Sequence, residues 1–314
     1  MTVRTPSRHP RAGLPETVTV YEVGPRDGLQ NEQTVIPVDV KAEFIRRLAG
    51  AGLRTIEATS FVSPKWVPQL GDAEELMASL PPVAGVRYPV LVPNLAGLDR
   101  AAASGAAHVA VFAAATETFS RRNLNRSLDE ALDMFAPVVA RAAADGMWVR
   151  SYLSMCFGDP WEGDVPIEQV VSVAGRLLEQ GCDELCVADT IGVATPGHVQ
   201  ELLGALDRAG LPPSQVAVHF HDTYGQALSN TLAALEAGVR TIDASAGGLG
   251  GCPFAASATG NLATEDLVWL LNGLGIDTGV DLEALVGTSV WMAGKLGRPS
   301  PSRVVNALAD RSEA

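Results

Sequence analysis

Two histidines separated by one residue form the strongest chemical signal in this chain. His219 and His221 lie in an apolar, β-branched run, residues 216–222, which reads V-A-V-H-F-H-D. Side chains alternate between the two faces of a strand, so both imidazoles project from the same face. Two imidazoles can hold a divalent metal ion if a carboxylate is supplied from elsewhere. A buried histidine is also often a purely structural residue, so the pair alone leaves both interpretations open.

Other polar residues lie within or end further apolar runs that predict strands, or lie in the loops that follow them. They are Arg26, Asp27, Glu57, Asp189, Cys252 and Asn261. In a parallel barrel the reacting groups come from the C-terminal ends of the strands and from the loops that follow them. We therefore expect these side chains to converge on one rim. Any one of these residues, and Glu57 in particular, could instead form only a structural hydrogen bond.

Four of these residues make a mixed nitrogen and oxygen ligand set, with room left for water or substrate. They are Asp27, His219, His221 and Asn261. Oxygen-rich sites with an open position suit Mg²⁺ or Mn²⁺, although two imidazoles also admit Zn²⁺ or Co²⁺. Such an ion would polarise a hydroxyl or carbonyl group of the substrate. Arg26, beside the site, is a fixed cation that can stabilise an enolate or bind a carboxylate.

Cys252 follows a glycine-rich loop that contains Gly247, Gly248, Gly250 and Gly251. Backbone with so few side chains can move, and it can approach a ligand closely. A thiol at the tip of such a loop, next to a metal, can donate or accept a proton at carbon. The glycines could instead cradle a phosphate, but no strand-to-helix turn follows them directly.

The elements that must position these residues alternate regularly between strand and helix. Strands are predicted at 18–23, 54–60, 89–93, 107–115, 148–155, 183–189, 215–222 and 241–246. Helices are predicted at 37–50, 73–80, 95–104, from Ser127, 167–180, 196–209, 226–237 and 263–274. Ser127 and Glu130 have the spacing of a capping box.

Eight strand–helix units predict an α/β fold, a closed (β/α)8 TIM barrel. An open doubly wound sheet is the alternative, and the lack of a dinucleotide-binding glycine loop disfavours it. Residues from about 281 to 308 predict additional C-terminal helices. We expect residues 1–15 to be a flexible tail and residues 16–314 to form a single domain.

Composition limits the partners of this protein. The chain has 314 residues and is 47% hydrophobic, and its net charge of −13 disfavours nucleic acid and anionic membranes. An anionic substrate is still allowed. The first 15 residues lack the apolar region of a signal peptide, and no run approaches the ~20 apolar residues that cross a bilayer. The four cysteines do not form a zinc or disulfide framework. We expect a cytoplasmic location.

The chain resembles the 3-hydroxy-3-methylglutaryl-CoA (HMG-CoA) lyases. These enzymes belong to a metal-dependent, aldolase-like TIM-barrel group that also contains isopropylmalate and homocitrate synthases. The motifs that carry the resemblance, from about residue 18 to beyond 282, are V-G-P-R-D-G-L-Q-N-E, T-S-F-V-S-P-K-W-V-P-Q, V-P-N-L, A-D-T-I-G-V-A-T-P-G, H-F-H-D-T-Y-G-Q-A-L and G-G-L-G-G-C-P-F. The R-D and H-x-H elements are shared across the group. The glycine loop with its cysteine and the S-F-V-S-P-K-W-V-P block are more specific to the lyases.

The resemblance implies a role for each candidate residue. It implies metal ligation by Asp27, His219, His221 and Asn261, Arg26 at the enolate oxygen, and Cys252 as a catalytic thiol on a lid. It implies acid–base or positioning roles for Asp189 and Glu57, and more weakly for Glu265. The implied reaction is retro-Claisen cleavage of HMG-CoA to acetyl-CoA and acetoacetate, as in leucine degradation, by a homodimer.

The sequence leaves two alternatives open. One is a Claisen-condensing acyltransferase of the isopropylmalate or homocitrate synthase type, although such synthases usually carry more chain beyond the barrel. The other is a non-catalytic binding protein on the same scaffold. The chain departs from the lyase pattern at Gln33, Arg126 and Asp159. These departures leave the acyl group, for example a longer 3-hydroxy-3-alkylglutaryl group, and the CoA contacts open.

Overall fold

The computed structural model describes residues 4–251 and 260–309. Within these ranges the chain forms nine strands, which we number in chain order. They are β1 (Thr19–Glu22), β2 (Thr55–Ile56), β3 (Thr59–Ser60), β4 (Val90–Leu91), β5 (His108–Ala114), β6 (Trp148–Ser154), β7 (Glu184–Asp189), β8 (Val216–Phe220) and β9 (Thr241–Ala244).

Helices alternate with these strands and continue after the last one. They are α1 (Val38–Gly50), α2 (Ala73–Ser79), α3 (Leu95–Ala103), α4 (Glu117–Leu124), α5 (Leu128–Ala144), α6 (Ile167–Glu179), α7 (Pro196–Arg208), α8 (Ala227–Glu236), α9 (Thr264–Gly273), α10 (Leu282–Leu296) and α11 (Arg303–Leu308). The predicted alternation of strands and helices is confirmed, and α10 and α11 are the predicted C-terminal helices.

Local sequence accounts for several helix ends. Ser127 accepts a hydrogen bond from the Glu130 N–H, and the Glu130 side chain accepts from the Ser127 N–H, so the predicted capping box is present. Helix α4 was not predicted, because its polar sequence, E-T-F-S-R-R-N-L, has no long apolar stripe. An ion pair between Glu117 and Arg121 and the buried Phe119 support it instead.

All the strands pair in parallel, in the order β2-β1-β9-β8-β7-β6-β5-β4-β3. Apolar side chains cover the outer face of this sheet and the inner faces of the helices, as in other parallel sheets that are buried on both sides. The α/β class and the parallel sheet are therefore confirmed. The predicted continuous ring of eight strands is not, because the hydrogen-bonded ladder has two ends.

The two ends of the ladder are β2 and β3, which were predicted as a single strand, residues 54–60. Only Glu57 and Ala58 separate them. The Glu57 N–H donates to Glu22 O, on the β1 side, and the Ala58 N–H donates to Pro89 O, on the β4 side. The first half also bonds on the β4 side, because the Ile56 N–H donates to Arg87 O. The regular pairing is interrupted at residues 57 and 58, and this places the Glu57 side chain at the division.

The sheet is strongly curled. Strands β6 and β1 are four ladder steps apart, which would be about 19 Å in a flat sheet. Nevertheless the Arg150 guanidinium carbon on β6 lies 3.9 Å from the centre of the Tyr21 ring on β1. The inner face of the sheet therefore encloses a narrow, polar interior.

The N-terminal segment lies along the end of α9. The His9 N–H donates to Gly273 O at 2.7 Å, and the Arg8 side chain donates to Gly275 O. The flexibility of residues 1–15 and the domain limits 16–314 remain predictions. Among the described helices, none combines the length and the apolar character that a membrane-spanning segment needs.

Candidate metal centre and active site

A single π-helical turn, Gly24–Gly28, follows β1 and presents Arg26 and Asp27. The N–H groups of Arg26, Asp27 and Gly28 all point to one acceptor, Val23 O, so the turn is tightly wound. Such turns are rare and occur mainly at functional sites. A Cβ atom on Gly28 would lie only 2.9 Å from the Leu249 side chain. The turn is thus packed directly against the glycine-rich loop that follows β9.

Asp27, His219 and His221 come together at the C-terminal ends of β1 and β8. One potential ligand atom from each lies within 4.8 Å of the others. The imidazole rings have their centres 5.3 Å apart, and both residues are buried. The two-residue spacing in the strand therefore brings the rings together as the sequence predicts.

Asn261 completes the group from the other side. Residue 261 forms an isolated β-bridge with residue 221. Its side-chain nitrogen, Nδ2, donates to Asp27 Oδ2 at 2.7 Å and to Leu249 O at 3.0 Å. Both partners are acceptors, so Nδ2 is correctly placed on this side of the amide. The oxygen, Oδ1, is buried and accepts no hydrogen bond from the described residues.

This donor set fits a divalent metal ion. A buried amide oxygen without a donor is costly unless a cation satisfies it. The burial of Asp27 would raise the pKa of its carboxyl, but Arg26 and the two imidazoles lower that pKa below its ordinary value. Asp27 is therefore held as a carboxylate, the form that binds a cation.

The His219 ring is held in a defined orientation by Asp243 on β9. Its Nδ1 atom lies 3.1 Å from Asp243 Oδ2. Burial alone would lower the pKa of His219, but the hydrogen bond and the charge of Asp243 raise it. With Nδ1–H donating to the carboxylate, Nε2 is the nitrogen available to a metal.

Arg26 connects the centre to Glu57. Its Nε donates to Glu57 Oε2 at 2.7 Å and its Nη1 donates to Asp27 Oδ1 at 2.9 Å. The Tyr152 hydroxyl also donates to Glu57 Oε2, at 3.1 Å. Burial raises the pKa of Glu57, and Arg26 opposes that shift. Arg26 therefore has a fixed direction, with Glu57 behind it and Asp27 beside it.

Asp189 ends β7 but does not join the group of potential ligands. Its two carboxylate oxygens accept the N–H groups of Val193 and Ala194, both at 2.9 Å. Burial raises the pKa of Asp189 to about 6, against these hydrogen bonds. The contacts assign it to shaping the loop that follows β7.

The start of the glycine-rich loop is anchored. Glu265 on α9 accepts the Gly247 N–H at 2.9 Å and the Ser289 hydroxyl, and the Ser300 hydroxyl donates to Gly247 O. Gly247, Gly248 and Gly250 have φ between 67° and 109°, which only glycine adopts easily. Cys252 lies outside the described residues.

Of the three departures from the lyase pattern, Asp159 has a clear structural role. Its carboxylate accepts the N–H groups of Trp161 and Glu162 and the hydroxyl of Thr116, at 2.6–2.9 Å. It therefore stabilises the turn from residue 159 to 163 and the start of α4.

Four buried polar residues around the centre were not identified from the sequence. They are Glu22, Arg150, Tyr152 and Asp243. Glu22 accepts the N–H groups of Gly24 and Ala246 at 2.8 Å and so joins the π-helical turn to the glycine-rich loop. For Glu22, Arg150 and Asp243 the available signal was a charged residue within an apolar strand.

Comparison with known proteins gives the family. Residues 17–291 match the family described as HMGL-like. The chain belongs to the HMGL-like family.

Curated relatives of this family are closely similar over nearly the whole chain. The chain is 49% identical to the mitochondrial hydroxymethylglutaryl-CoA lyase of Gallus gallus, covering 94% of this chain and 98% of the relative. It is 47% identical to the cytoplasmic 3-hydroxy-3-methylglutaryl-CoA lyase of Rattus norvegicus, covering 94% and 86%. The predicted resemblance to HMG-CoA lyases, and the class of carbon–carbon lyase, are confirmed.

Solved structures of such lyases have the same fold. The hydroxymethylglutaryl-CoA lyase of Pseudomonas aeruginosa is 48% identical with a TM-score of 0.92, covering 94% of this chain and 98% of that one. An HMG-CoA lyase of Acinetobacter baumannii, in complex with coenzyme A and 3-methylmalate, is 35% identical with a TM-score of 0.89, covering 98% and 99%.

Proposed function

We propose that this protein cleaves HMG-CoA to acetyl-CoA and acetoacetate. The observation that carries the proposal is the group of Asp27, His219, His221 and Asn261 beside a fixed Arg26, in a chain almost half identical to HMG-CoA lyases. In the reaction, the C3 hydroxyl loses its proton and the C2–C3 bond breaks. The electron pair stays on C2 as the acetyl-CoA enolate, C3 becomes the ketone of acetoacetate, and C2 then gains a proton.

The four residues of the group would hold a divalent ion, and Mg²⁺ or Mn²⁺ suits the oxygen ligands best. Such an ion supplies Lewis acidity toward the oxygens of the substrate. Arg26 contributes a guanidinium that is already oriented by Glu57, so little reorganisation accompanies charge development on the enolate oxygen. Glu57 is a positioning residue in this scheme, and Asp189 shapes the loop beside the site.

The proton that reaches C2 is assigned to the thiol of Cys252. This assignment rests on the resemblance to the HMG-CoA lyases. The Asn31 side chain donates to Gly251 O at 2.9 Å, which keeps residue 251 next to the segment that follows the π-helical turn.

The proposal also covers the closure of the barrel, the acyl-CoA substrate and the cellular context of the protein. We infer that the curled sheet forms the closed (β/α)8 barrel, joined through Glu57 and Ala58. The acyl-CoA substrate is supported by the relative bound to coenzyme A. A role in leucine degradation, a cytoplasmic location and a homodimer remain predictions, and related lyases carry both cytoplasmic and mitochondrial names.

The test is a cleavage assay with the purified protein. Metal-free protein is supplied with Mg²⁺ or Mn²⁺ and a panel of 3-hydroxy-3-alkylglutaryl-CoA thioesters, and acetyl-CoA is measured. We expect metal-dependent cleavage of the methyl compound. Release of free thiol from acetyl-CoA and a 2-oxo acid, without cleavage, would instead establish the synthase alternative. Full turnover after chelation would contradict the metal-dependent reaction.

A further inference from the structure

A second set of charges is buried beneath the candidate metal centre, inside the curl of the sheet. Its members are Arg150 on β6, Asp243 on β9 and Glu184 on β7. The side chains of Arg150 and Asp243 are fully buried. A buried ion pair is costly to assemble and contributes little net stability by itself, so its role must be sought in what it holds.

Strand register places Asp243 next to a candidate metal ligand. Asp243 on β9 is directly opposite His219 on β8 and opposite Tyr21 on β1. Side chains in register on adjacent parallel strands point to the same face, here the interior. The carboxylate therefore faces the imidazole as a direct result of the pairing, and Oδ2 lies 3.1 Å from His219 Nδ1.

The other oxygen of Asp243 is bound by Arg150. Nη2 of Arg150 donates to Asp243 Oδ1 at 2.6 Å. The guanidinium carbon lies 3.9 Å from the ring centre of Tyr21 and 4.8 Å from that of Tyr152. Two aromatic rings and a charge-assisted hydrogen bond hold this cation, so it fixes the rotation of the carboxylate.

We propose that Asp243, held by Arg150, is a positioning residue that sets the tautomer and the orientation of His219 for metal binding. The inference rests on the proposed metal centre. Asp243 accepts a hydrogen bond from the Nδ1–H group of His219, so Nε2 keeps its lone pair. The guanidinium of Arg150 has only hydrogen-bond donors, so the atom of residue 243 that it contacts must be an acceptor.

This arrangement predicts an unusual response to an isosteric change. In Asp243→Asn, Arg150 requires the amide oxygen, so the amide NH₂ group must face His219 Nδ1. Nδ1 then has to accept, and the ring proton moves to Nε2, which can no longer bind a metal. We expect Mn²⁺ affinity to fall by about 10–100-fold, as for other partners that orient metal-binding histidines. The fold is retained because Arg150 keeps an oxygen acceptor.

A second substitution should restore part of the affinity. Adding Arg150→Met to Asp243→Asn removes the group that claims the amide oxygen. The amide can then turn its oxygen toward His219 Nδ1, and the double variant should bind Mn²⁺ at least threefold more tightly than Asp243→Asn alone. A purely structural role for the ion pair predicts further weakening instead.

Glu184→Gln is the matched control. Glu184 Oε1 lies 3.2 Å from Arg150 Nε, so this change removes the charge of another carboxylate on the same guanidinium. It leaves the contact between Asp243 and His219 in place. We expect its Mn²⁺ affinity to stay within twofold of that of the wild type.

The experiment is a titration of metal-free protein with Mn²⁺, in which free Mn²⁺ is followed by electron paramagnetic resonance. The His219 tautomer is read in parallel from ring ¹⁵N chemical shifts of the metal-free protein, with His219→Ala used to assign the signals. The expected result is weak binding by Asp243→Asn, an Nε2–H ring signal, and partial rescue in the double variant.

Other outcomes distinguish a failure of the proposed metal centre from a failure of the positioning role of Asp243. If His219→Ala binds Mn²⁺ as tightly as the wild type, the proposed metal centre is wrong. If His219→Ala loses affinity but Asp243→Asn stays within twofold of the wild type, only the positioning role fails. Equal losses in Asp243→Asn and Glu184→Gln, or a double variant weaker than Asp243→Asn, would also overturn the positioning role.

Discussion

Glu265 offers a test of how the glycine-rich loop is held. Its side chain is fully buried on α9 and accepts the N–H of Gly247 at the start of the loop. Burial raises the pKa of Glu265 from 4.5 to about 8, although its hydrogen bonds with Ser289 and Gly247 act in the opposite direction. We predict that Glu265→Gln changes the pH dependence of stability and not the fold.

The sign follows from proton binding. Between pH 4.5 and about 8 the folded protein keeps the proton on Glu265, whereas the unfolded chain has lost it. Folding then takes up a proton, so the free energy of unfolding falls as pH rises through this window and levels off above it. The two pKa values differ by about 3.5, which corresponds to roughly 5 kcal/mol at 1.36 kcal/mol per pH unit.

This free energy converts into a measurable shift in melting temperature. Unfolding entropy is about 2.1 cal/mol/K per residue, or roughly 0.66 kcal/mol/K for this chain, so roughly 5 kcal/mol is equivalent to about 7 °C. Gln keeps an oxygen acceptor for Gly247 but carries no titrating proton. The Tm of Glu265→Gln should therefore match that of the wild type near pH 5 and exceed it by about 7 °C at pH 9.

The assay is differential scanning fluorimetry of metal-free protein across this pH range. Glu201→Gln, at an exposed position on α7, controls for the loss of one carboxylate and should follow the wild-type curve. A difference in Tm between Glu265→Gln and the wild type that does not change with pH would refute the linkage of Glu265 to folding.

Three further substitutions test separate parts of the account. Gly250→Ala adds a methyl group 2.6 Å from Asn261 Nδ2 at φ +109°, so it should displace Asn261 and weaken Mn²⁺ binding at least tenfold in the same titration. Lys41→Met removes the cation from Asp72 at a fully buried position and should lower the free energy of unfolding in urea by about 3 kcal/mol, without changing Mn²⁺ affinity. Arg26→Lys loses the forked contact with its two carboxylates and should lower kcat by about 10²–10³-fold in the cleavage assay.

Two of these changes have a control that leaves the local geometry alone. Gly175→Ala on α6 adds a methyl group with nothing within 4 Å, so it should stabilise the protein by about 0.5–1 kcal/mol and leave Mn²⁺ affinity unchanged. Arg122→Lys, at an exposed position on α4, controls for Arg26→Lys. Wild-type Mn²⁺ affinity in Gly250→Ala, unchanged unfolding in Lys41→Met, or full kcat in Arg26→Lys would each contradict the role assigned to that residue.

Periodicity was sufficient to predict the order of the elements and part of the site. The spacing of His219 and His221 determined their shared direction, because a strand has a period of two whatever its partners are. The capping box at Ser127 was equally local. The group of Asp27 with these histidines followed from the rule that parallel strands present their C-terminal ends at one rim.

What the sequence did not indicate depends on contacts between distant strands. Nothing local shows that residues 54–60 divide at Glu57, because the division depends on how this run bonds to β1 on one side and to residues 87–91 on the other. Arg150 and Asp243 are 93 residues apart in the chain, and their contact exists only because the sheet curls. The hydrogen-bond partners of Glu57 and Asp189 also lie on other segments of the folded chain. These partners show that Glu57 lies beside the metal centre, whereas Asp189 shapes a loop.

The central claim is that Asp27, His219, His221 and Asn261 hold one divalent ion. Its most direct test is a crystal structure of the protein grown with Mn²⁺, with an anomalous difference map recorded for manganese. We predict a single peak at about 2.0–2.3 Å from a carboxylate oxygen of Asp27, Nε2 of His219, a ring nitrogen of His221 and Oδ1 of Asn261. A peak elsewhere in the molecule, or a peak here from which Asn261 Oδ1 is turned away, would contradict it.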